Sequence, residues 1–335
     1  MNKFLEQTKT TLQSIGNFEK VHVVLGNESC DLDSAISSIV YGYYVFKTQT
    51  SSNTNICVIP VLNIRQDEFP LRTETKYFLL KNGINIDNLT FRNQIDLTAL
   101  CSNDKLKLTL VDHHVLPVQD KPGFESQLER YSPCYGYYDT IVKLLHGTIV
   151  LDTINFNTTA NRFKSLDQEM VASLEKCVKI EYTRSSICSE LISARGDVST
   201  LTPFQILHRD LKIINGMPFP GVPMLFAEFL DLSGAKESLS EFCQSKKCKV
   251  IVPMGLIARG GRVLRDVGVF SIADCDLKSA IIECLKAKEE LQLSKVDTSI
   301  PGLKLFSQGN VQASRKQIVP ILSEVIEKYK GQNVL

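Results

Sequence analysis

Apolar runs alternate with amphipathic segments along the first half of the chain. The runs VHVVLG, NICVIPVLNI, LTFR and LKLTLV predict buried strands. Helices are predicted at about 3–15, in SAISSIVYGYYVF and in RTETKYFLLKNG, where Gly83 ends the helix. Because strands that alternate with helices form parallel sheets, we expect an α/β fold with a doubly wound parallel sheet.

The second half of the chain repeats this alternation after a stretch of helices. TIVKLLHGTIVLDTI predicts a helix that runs into a strand, SLDQEMVASLEKCVKI is helical, and SSICSELISARGDVSTLTPFQILHRDLKII predicts two helices joined by a turn. From Val222 onward, PMLFAEFLDL, CKVIVPMGLIA and VGVFSI predict strands, and ESLSEFCQSK and LKSAIIECLKAKEEL predict helices. A chain of 335 residues exceeds one ordinary core, so we expect two domains, 1–196 and a smaller α/β domain 197–335.

Composition and charge exclude several classes of protein. The hydrophobic content of 43% is typical of a soluble globular protein, and the net charge of +1 gives no global field for nucleic acid. No apolar run approaches the roughly 20 residues that span a bilayer, and the amphipathic start lacks an apolar signal core. Ten cysteines without a CxxC pair predict reduced thiols and a cytoplasmic protein rather than a disulfide or zinc framework.

Polar side chains follow three of the apolar runs, where a strand would end. Several buried aspartates at one sheet edge would repel each other without a cation, and ligands collect at the carboxyl ends of parallel strands. The segments GNESCDLDS, VDHH and GTIVLDTINF therefore predict a metal site, with the candidate residues Asn27, Asp31, Asp33, Asp112, His113, His114 and Asp152.

Each acidic segment also has an ordinary structural explanation. Asp33 or Ser34 is a suitable N-cap for the following helix, two histidines can be satisfied at a sheet edge, and a single Asp152 is often a turn residue. As ligands, carboxylate plus imidazole suits Mn, Fe, Co or Zn, whereas Mg prefers oxygen alone. A nucleophilic Cys30 is disfavoured because its acidic neighbours suppress the thiolate. Neither GxxxxGK[ST] nor GxGxxG occurs.

Basic residues near the C-terminus predict an anion site. Ser314, Arg315 and Lys316 lie at the predicted start of a helix, where free N–H groups and two cations attract an anion. The alternative is a solvated basic pair. Lys212 in HRDLKII allows the same two interpretations. A hairpin is predicted in GLIARGGRVLRD, whose arginines either line a cleft or face water: Arg259, Arg262 and Arg265.

These segments resemble the motifs of the DHH phosphoesterase superfamily, in its Prune-type branch related to exopolyphosphatases and family II inorganic pyrophosphatases. GNESCDLDS, LTLVDHH and HGTIVLDTINF resemble the first, second and fourth motifs, with Asn27 where the pyrophosphatases have His. DVSTLTPFQILHRDLK and QGNVQASRKQIVP are similar to the opening and closing signatures of the DHH-associated C-terminal domain. The resemblance covers nearly the whole chain.

The resemblance implies a DHH metal-binding phosphoesterase domain at 1–196 and a substrate-binding domain at 197–335, which close over a cleft. It further implies two divalent cations, Mn²⁺ or Mg²⁺, and a metal-activated water that attacks a terminal phosphorus. The implied metal ligands are Asp31, Asp33, Asp112 and Asp152, with Asn27 beside the first cation. The implied phosphate-binding residues are Lys212, Arg315 and Lys316.

One motif of that family is absent from this sequence. Its members carry a third motif, DHH or DHR, whereas residues 117–138 contain no histidine. His113 and His114 are therefore the candidate catalytic residues in place of the missing imidazole.

The leading hypothesis is a metal-dependent phosphohydrolase that cleaves phosphoanhydride bonds of short polyphosphates or pyrophosphate-like substrates, or phosphodiesters of small nucleotides. The alternative is a catalytically weakened scaffold that acts through protein partners such as nucleoside diphosphate kinase. A single-strand exonuclease fits the neutral chain less well.

Overall fold

The computed structural model describes residues 1–49, 55–112, 128–129, 139–260 and 262–329. The chain divides into two compact units, Met1–Asp197 and Val198–Leu335, and each contains its own sheet. Among the helices that the structure describes, none is both long and apolar enough to cross a membrane.

The N-terminal unit contains a five-stranded sheet in the order β3-β2-β1-β4-β5, and every pairing in it is parallel. This confirms the parallel sheet expected from the alternating pattern. The strands are β1 Lys20–Leu25, β2 Ile56–Leu62, β3 Thr90–Phe91, β4 Leu106–Leu110 and β5 Leu128–Glu129.

Helices supply the rest of this unit's core. They are α1 Asn2–Leu12, α2 Leu32–Gln49, α3 Thr73–Lys81, α4 Leu97–Ser102, α5 Asp139–Asp152, α6 Ser165–Cys177 and α7 Arg184–Gly196. On one sheet face Val23 packs in a cluster with Leu97 of α4, and on the other Val24 packs with Tyr41 of α2. Because both faces of the sheet are covered, its strands are mostly apolar, as is typical of parallel sheets.

The segment around HGTIVLDTINF differs from its prediction as a helix that runs into a strand. The helix continues to Asp152, and its buried residues recur at helical spacing. Gly147 permits this because a Cβ there would lie only 2.2 Å from Cζ of the fully buried Phe78. Close packing of α5 against Phe78 therefore decides the helical state over the strand preference of Ile149 and Val150.

The C-terminal unit contains a mixed sheet in the order β11-β12-β10-β9-β7-β6, with β8 paired to β10. Its strands are β6 Asp210–Ile214, β7 Met217–Val222, β8 Val250–Ile251, β9 Met254–Arg259, β10 Arg262–Ser271, β11 Leu293–Val296 and β12 Leu303–Gln308. Its helices are α8 Pro203–Arg209, α9 Phe226–Phe229, α10 Ala235–Ser245, α11 Asp276–Lys286 and α12 Arg315–Tyr329. The predicted hairpin is confirmed, since Arg259 pairs with Arg262 across the turn.

Two predictions for this unit were wrong. The strand expected in PMLFAEFLDL is instead the short helix α9, whose first N–H groups are bound by a distant carboxylate. Asp266 accepts hydrogen bonds from the amides of Phe226 (2.7 Å) and Ala227 (2.9 Å). The second correction is that the helix predicted through HRDLKII ends at Arg209, and Asp210–Ile214 forms a strand paired with β7.

Replacement of Gly147 by Ala should destabilise the protein. Ala favours a helix interior by about 1 kcal/mol over Gly, but overpacking against Phe78 costs about 1–3 kcal/mol, so a net loss is expected. Denaturant unfolding of Gly147→Ala measures it. Gly196→Ala is the matched control, because a Cβ on that helical glycine meets nothing within 4 Å. Equal effects of the two substitutions would contradict the packing argument.

Candidate functional site

The first two acidic segments meet at the carboxyl edge of the parallel sheet. Strands β1 and β4 are neighbours, with Leu25 opposite Leu110, and the amide of Val111 donates to the carbonyl of Leu25 over 3.0 Å. The loop after β1 and the residue after β4 are thereby brought side by side. This is the arrangement that the sequence pattern predicts for adjacent parallel strands.

Close packing at its first residue shapes the loop after β1. A Cβ on Gly26 would lie 2.3 Å from Oγ of Ser34, which accepts a hydrogen bond from the amide of Asn27 over 2.7 Å. Cys30 then takes a left-handed conformation with φ 46°, and the chain enters α2 as the amide of Ala35 donates to the carbonyl of Asp31. The loop therefore holds Asp31 and Asp33 at the start of α2.

Asn27 links the two acidic segments through its side-chain amide. Its Nδ2 donates to the carboxylate of Asp112 over 2.7 Å and to the carbonyl of Asp112 over 3.2 Å. Its Oδ1 accepts hydrogen bonds from the amides of Ser29 (2.9 Å) and Cys30 (3.2 Å), and the Ser29 hydroxyl lies 2.6 Å from it. The Ser29 hydroxyl also lies 2.8 Å from Oδ1 of Asp31. Asn27 and Ser29 thus orient two of the candidate ligands.

Three carboxylates gather at this edge. Asp31, Asp33 and Asp112 each place an oxygen within 4.8 Å of the other two. Burial, together with the negative charges of Asp31, Asp112 and Asp152, raises the pKa of Asp33 to about 7. This repulsion is what a divalent cation would relieve, and an all-oxygen donor set suits hard cations such as Mg²⁺ or Mn²⁺. The residues present therefore fit a metal centre.

Asp152 is the last residue of α5 and not a residue after a strand, which corrects its expected setting. It is exposed at a helix C-terminus, where the helix dipole disfavours a negative charge. The next turn contains three consecutive left-handed residues, Ile154 (φ 50°), Asn155 (φ 51°) and Phe156 (φ 58°). The left-handed conformation costs about 1–2 kcal/mol each for Ile154 and Phe156, whereas asparagine tolerates it, and strain of this kind is concentrated near functional sites.

Cys30 lies inside the acidic loop but is poorly suited to nucleophilic chemistry. Burial is the main reason that the pKa of its thiol is raised to about 12, because the charges of Arg72 and Asp31 act in opposite directions. The thiol is therefore protonated near neutral pH. This agrees with the low reactivity inferred from the sequence, although burial has a larger effect than the acidic neighbours.

The candidate histidines His113 and His114 lie outside the described residues. Another histidine, His146 on α5, is buried and hydrogen-bonded through Nε2 to Glu175 over 3.0 Å. Arg184 binds the same carboxylate with two hydrogen bonds of 2.7 and 2.6 Å, which hold the pKa of Glu175 at about 2. Burial lowers the pKa of His146, so this group is a neutral packing element that joins α5 to α6 and α7.

The C-terminal unit contains a basic cavity of about 380 Å³. It brings together the three phosphate-binding candidates and two arginines that the sequence did not single out for binding. The lining residues are Arg209, Asp210, Lys212, Gly221, Val222, Pro223, Met254, Leu256, Arg265, Ser314, Arg315 and Lys316. The only hint of Arg265 in the sequence was its position in the arginine-bearing hairpin.

The cations of this cavity differ in how they are held. Lys212 and Lys316 are exposed, whereas the Arg315 side chain is 16% exposed and forms an ion pair of 2.7 Å with Asp210. Its Nη1 also donates to the carbonyls of Asp210 (2.7 Å) and Phe219 (3.0 Å). A Cβ on Gly221 would lie 2.6 Å from Oδ2 of Asp210, so the glycine makes room for this pair.

The start of α12 completes the cavity wall. The helix begins at Arg315, as the sequence predicts, and the Ser314 hydroxyl lies 2.5 Å from Oε1 of Gln317 and accepts from the amide of Lys316 over 3.2 Å. An N-terminal turn of a helix that carries two cations offers both N–H donors and positive charge to an anion. The cavity is therefore an anion-binding candidate within the C-terminal unit.

Comparison with known proteins gives matches along both units. Residues 189–325 match the family described as the DHHA2 domain. The exopolyphosphatase PRUNE1 of Bos taurus is 32% identical over 369 residues, which cover 98% of this chain and 80% of that protein. Because 369 aligned positions exceed the 335 residues of this chain, the alignment includes positions without a counterpart here.

Two more distant proteins are also similar. The putative exopolyphosphatase of Schizosaccharomyces pombe is 23% identical, with 98% of each chain covered. The crystal structure of a putative family II inorganic pyrophosphatase from Methanococcus jannaschii aligns with 91% of this chain and 99% of that one, at 17% identity and a TM-score of 0.46. Because it is 32% identical to the bovine protein over 98% of its length, the chain belongs to the Prune exopolyphosphatase family of the DHH phosphoesterase superfamily.

Proposed function

We propose that this protein is a metal-dependent hydrolase that cleaves phosphoanhydride bonds of short polyphosphates or pyrophosphate-like substrates. The observation that carries the proposal is the cluster of Asp31, Asp33 and Asp112 at the carboxyl edge of a parallel sheet. The similar bovine protein is named an exopolyphosphatase, which agrees with this chemistry. Such acid-anhydride substrates are anionic and suit the separate basic cavity of the C-terminal unit.

In this proposal two divalent cations, Mn²⁺ or Mg²⁺, are held by four aspartates: Asp31, Asp33, Asp112 and Asp152. When bound, such cations acidify water and neutralise phosphate charge. Asn27 keeps Asp112 oriented through its amide, and Ser29 does the same for Asp31. Asn27 itself lies beside the first cation in the family pattern. The repulsion that raises the pKa of Asp33 supports a requirement for positive charge at this edge.

The remaining candidate roles concern the proton and the phosphate. His113 and His114, which directly follow Asp112 in the sequence, are proposed as catalytic residues. Lys212, Arg315 and Lys316 are proposed to bind the substrate's phosphate oxygens. Arg315 retains Nε–H and one Nη2 hydrogen for this after its bonds to Asp210 and Phe219. We propose that the unit at 1–196 binds the metal and that the unit at 197–335 binds the substrate.

A weakened scaffold that binds protein partners, such as nucleoside diphosphate kinase, is the second candidate. The absence of histidine from residues 117–138 favours it. Metal stoichiometry separates the two functions, since two tightly bound cations per chain favour an enzyme, whereas none or one favours the scaffold. As to compartment, the nine cysteines within the described ranges are free thiols, which supports a cytoplasmic location.

The carboxylate cluster should be required for metal-dependent hydrolysis. Phosphate release from tripolyphosphate with Mn²⁺ or Mg²⁺ should fall by about 10²-fold or more in Asp31→Asn, because one anionic ligand of the cation is lost. The control is Glu6→Gln, which removes an exposed carboxylate from α1. Wild-type activity that is unchanged by a chelator would contradict the proposal.

Metal binding should be coupled to a proton on Asp33. Because the pKa of this carboxyl is raised to about 7, it holds a proton below pH 7 that a cation must displace. Metal affinity should therefore fall by about tenfold per unit as pH drops below 7 and level off above about 8. Calorimetry in buffers of different ionisation enthalpy counts the proton. Release of one proton at pH 6 that persists in Asp33→Asn would refute this assignment.

The two exposed lysines of the basic cavity should contribute mainly to substrate affinity. Lys212→Ala and Lys316→Ala should each raise KM for tripolyphosphate by about tenfold, since each removes one charge-assisted contact. Steady-state kinetics measures the change, and Lys236→Ala, an exposed lysine of α10 that does not line the cavity, is the matched control. An unaltered KM in both cavity variants would remove these lysines from the site.

A further inference from the structure

Arg265 occupies an unusual electrostatic position in the basic cavity. It is half-buried, and its Nε donates to the carbonyl of Val311 over 2.8 Å. Its Nη1 and Nη2 carry four further N–H donors, and no hydrogen bond or ion pair engages them within the described part of the chain. A partly desolvated guanidinium normally has an acidic partner, because its hydration is lost on burial.

The nearby carboxylates are directed elsewhere. Asp266 follows Arg265 in the strand but points to the opposite face, where it binds the amides of Phe226 and Ala227. Asp210 lines the same cavity, but its carboxylate is bound by Arg315. Burial accordingly lowers the pKa of Arg265, with no acidic group to oppose the effect. An anion from outside the chain would supply the missing partner.

The register of the hairpin fixes which arginines face the cavity. Arg265 lies opposite Leu256, and both line the cavity. Arg262 is three residues away, so strand alternation places it on the other face, where it is exposed and pairs across the turn with Arg259. Arg259 in turn binds Glu228 over 2.8 Å. The hairpin therefore presents one arginine to the cavity and two to the opposite face.

We propose that Arg265 is a further substrate-binding residue, whose free Nη1 and Nη2 groups bind phosphate oxygens in the cavity beside Lys212 and Lys316. This inference rests on the proposed function for its ligand class, a phosphoanhydride. Arg315 then acts more as a positioning residue than as a phosphate ligand, because three of its five N–H groups donate to Asp210 and Phe219. Arg265 supplies the planar pair of donors that suits a phosphate group.

The test measures binding of imidodiphosphate, a non-hydrolysable phosphoanhydride analogue, to the full chain in Mg²⁺ buffer by calorimetry. Arg265→Gln should weaken binding by about ten- to a hundredfold, which is the usual effect of losing charge-assisted hydrogen bonds. Arg262→Gln, which neutralises an arginine of the same strand on the opposite face, should change affinity less than about twofold.

Arg265→Lys separates phosphate contact from a purely structural role. Lysine restores the charge but not the Nε bond to Val311, so a contact role predicts partial recovery of affinity. A structural role predicts that Lys behaves like Gln. Equal affinities of wild type and Arg265→Gln, no recovery in Arg265→Lys, or no binding by the wild type would each overturn the inference.

The binding test is independent of turnover. Weakened imidodiphosphate binding in Arg265→Gln, together with no phosphate release from tripolyphosphate by the wild type, would sustain the binding role and refute the hydrolase. Normal hydrolysis by the wild type, together with unaltered imidodiphosphate binding in Arg265→Gln, would sustain the hydrolase and refute the binding role of Arg265. Thermal unfolding of each variant checks that the β9–β10 hairpin remains folded. This control is needed because Asp266, which caps α9, is the next residue after Arg265 in the strand.

Discussion

Repulsion among carboxylates is the constraint on which the N-terminal unit depends. The parallel pairing of β1 with β4 forces the loop after β1 and the residue after β4 together, and both carry aspartates. The surrounding structure holds them there with a hydrogen-bonded Asn27, a glycine packed on Ser34 and a helix start at Leu32. These contacts therefore hold in place carboxylates that a cation would stabilise.

The C-terminal unit shows the opposite polarity. Its cavity is lined by five cationic side chains and one carboxylate, and that carboxylate is already paired with Arg315. The nearly neutral chain thus contains two local clusters of opposite charge, and its net charge of +1 does not reveal them. Divalent cations suit the negative cluster, and phosphate anions suit the positive one.

Much of the fold and part of the site follow from the sequence. Apolar runs predict the parallel sheet because both of its faces are buried, and Asp31, Asp33 and Asp112 follow because they lie just after those runs. Asp152 was placed after a strand because GTIVLDTINF is rich in β-branched residues, whereas packing of Gly147 on Phe78 makes this segment helical. The strand predicted in PMLFAEFLDL failed for a similar reason, since its helix is capped by Asp266, forty residues away. Arg265 could not be chosen from three hairpin arginines without the register that sets its face.

The strained turn after Asp152 has a consequence for how the protein could be stabilised. Ile154 and Phe156 hold left-handed backbone conformations that glycine adopts at no steric cost. This turn follows Asp152, whose negative charge acts on Asp33. Glycine in place of Ile154 or Phe156 would remove this steric cost, so the turn offers two positions at which the chain could gain stability.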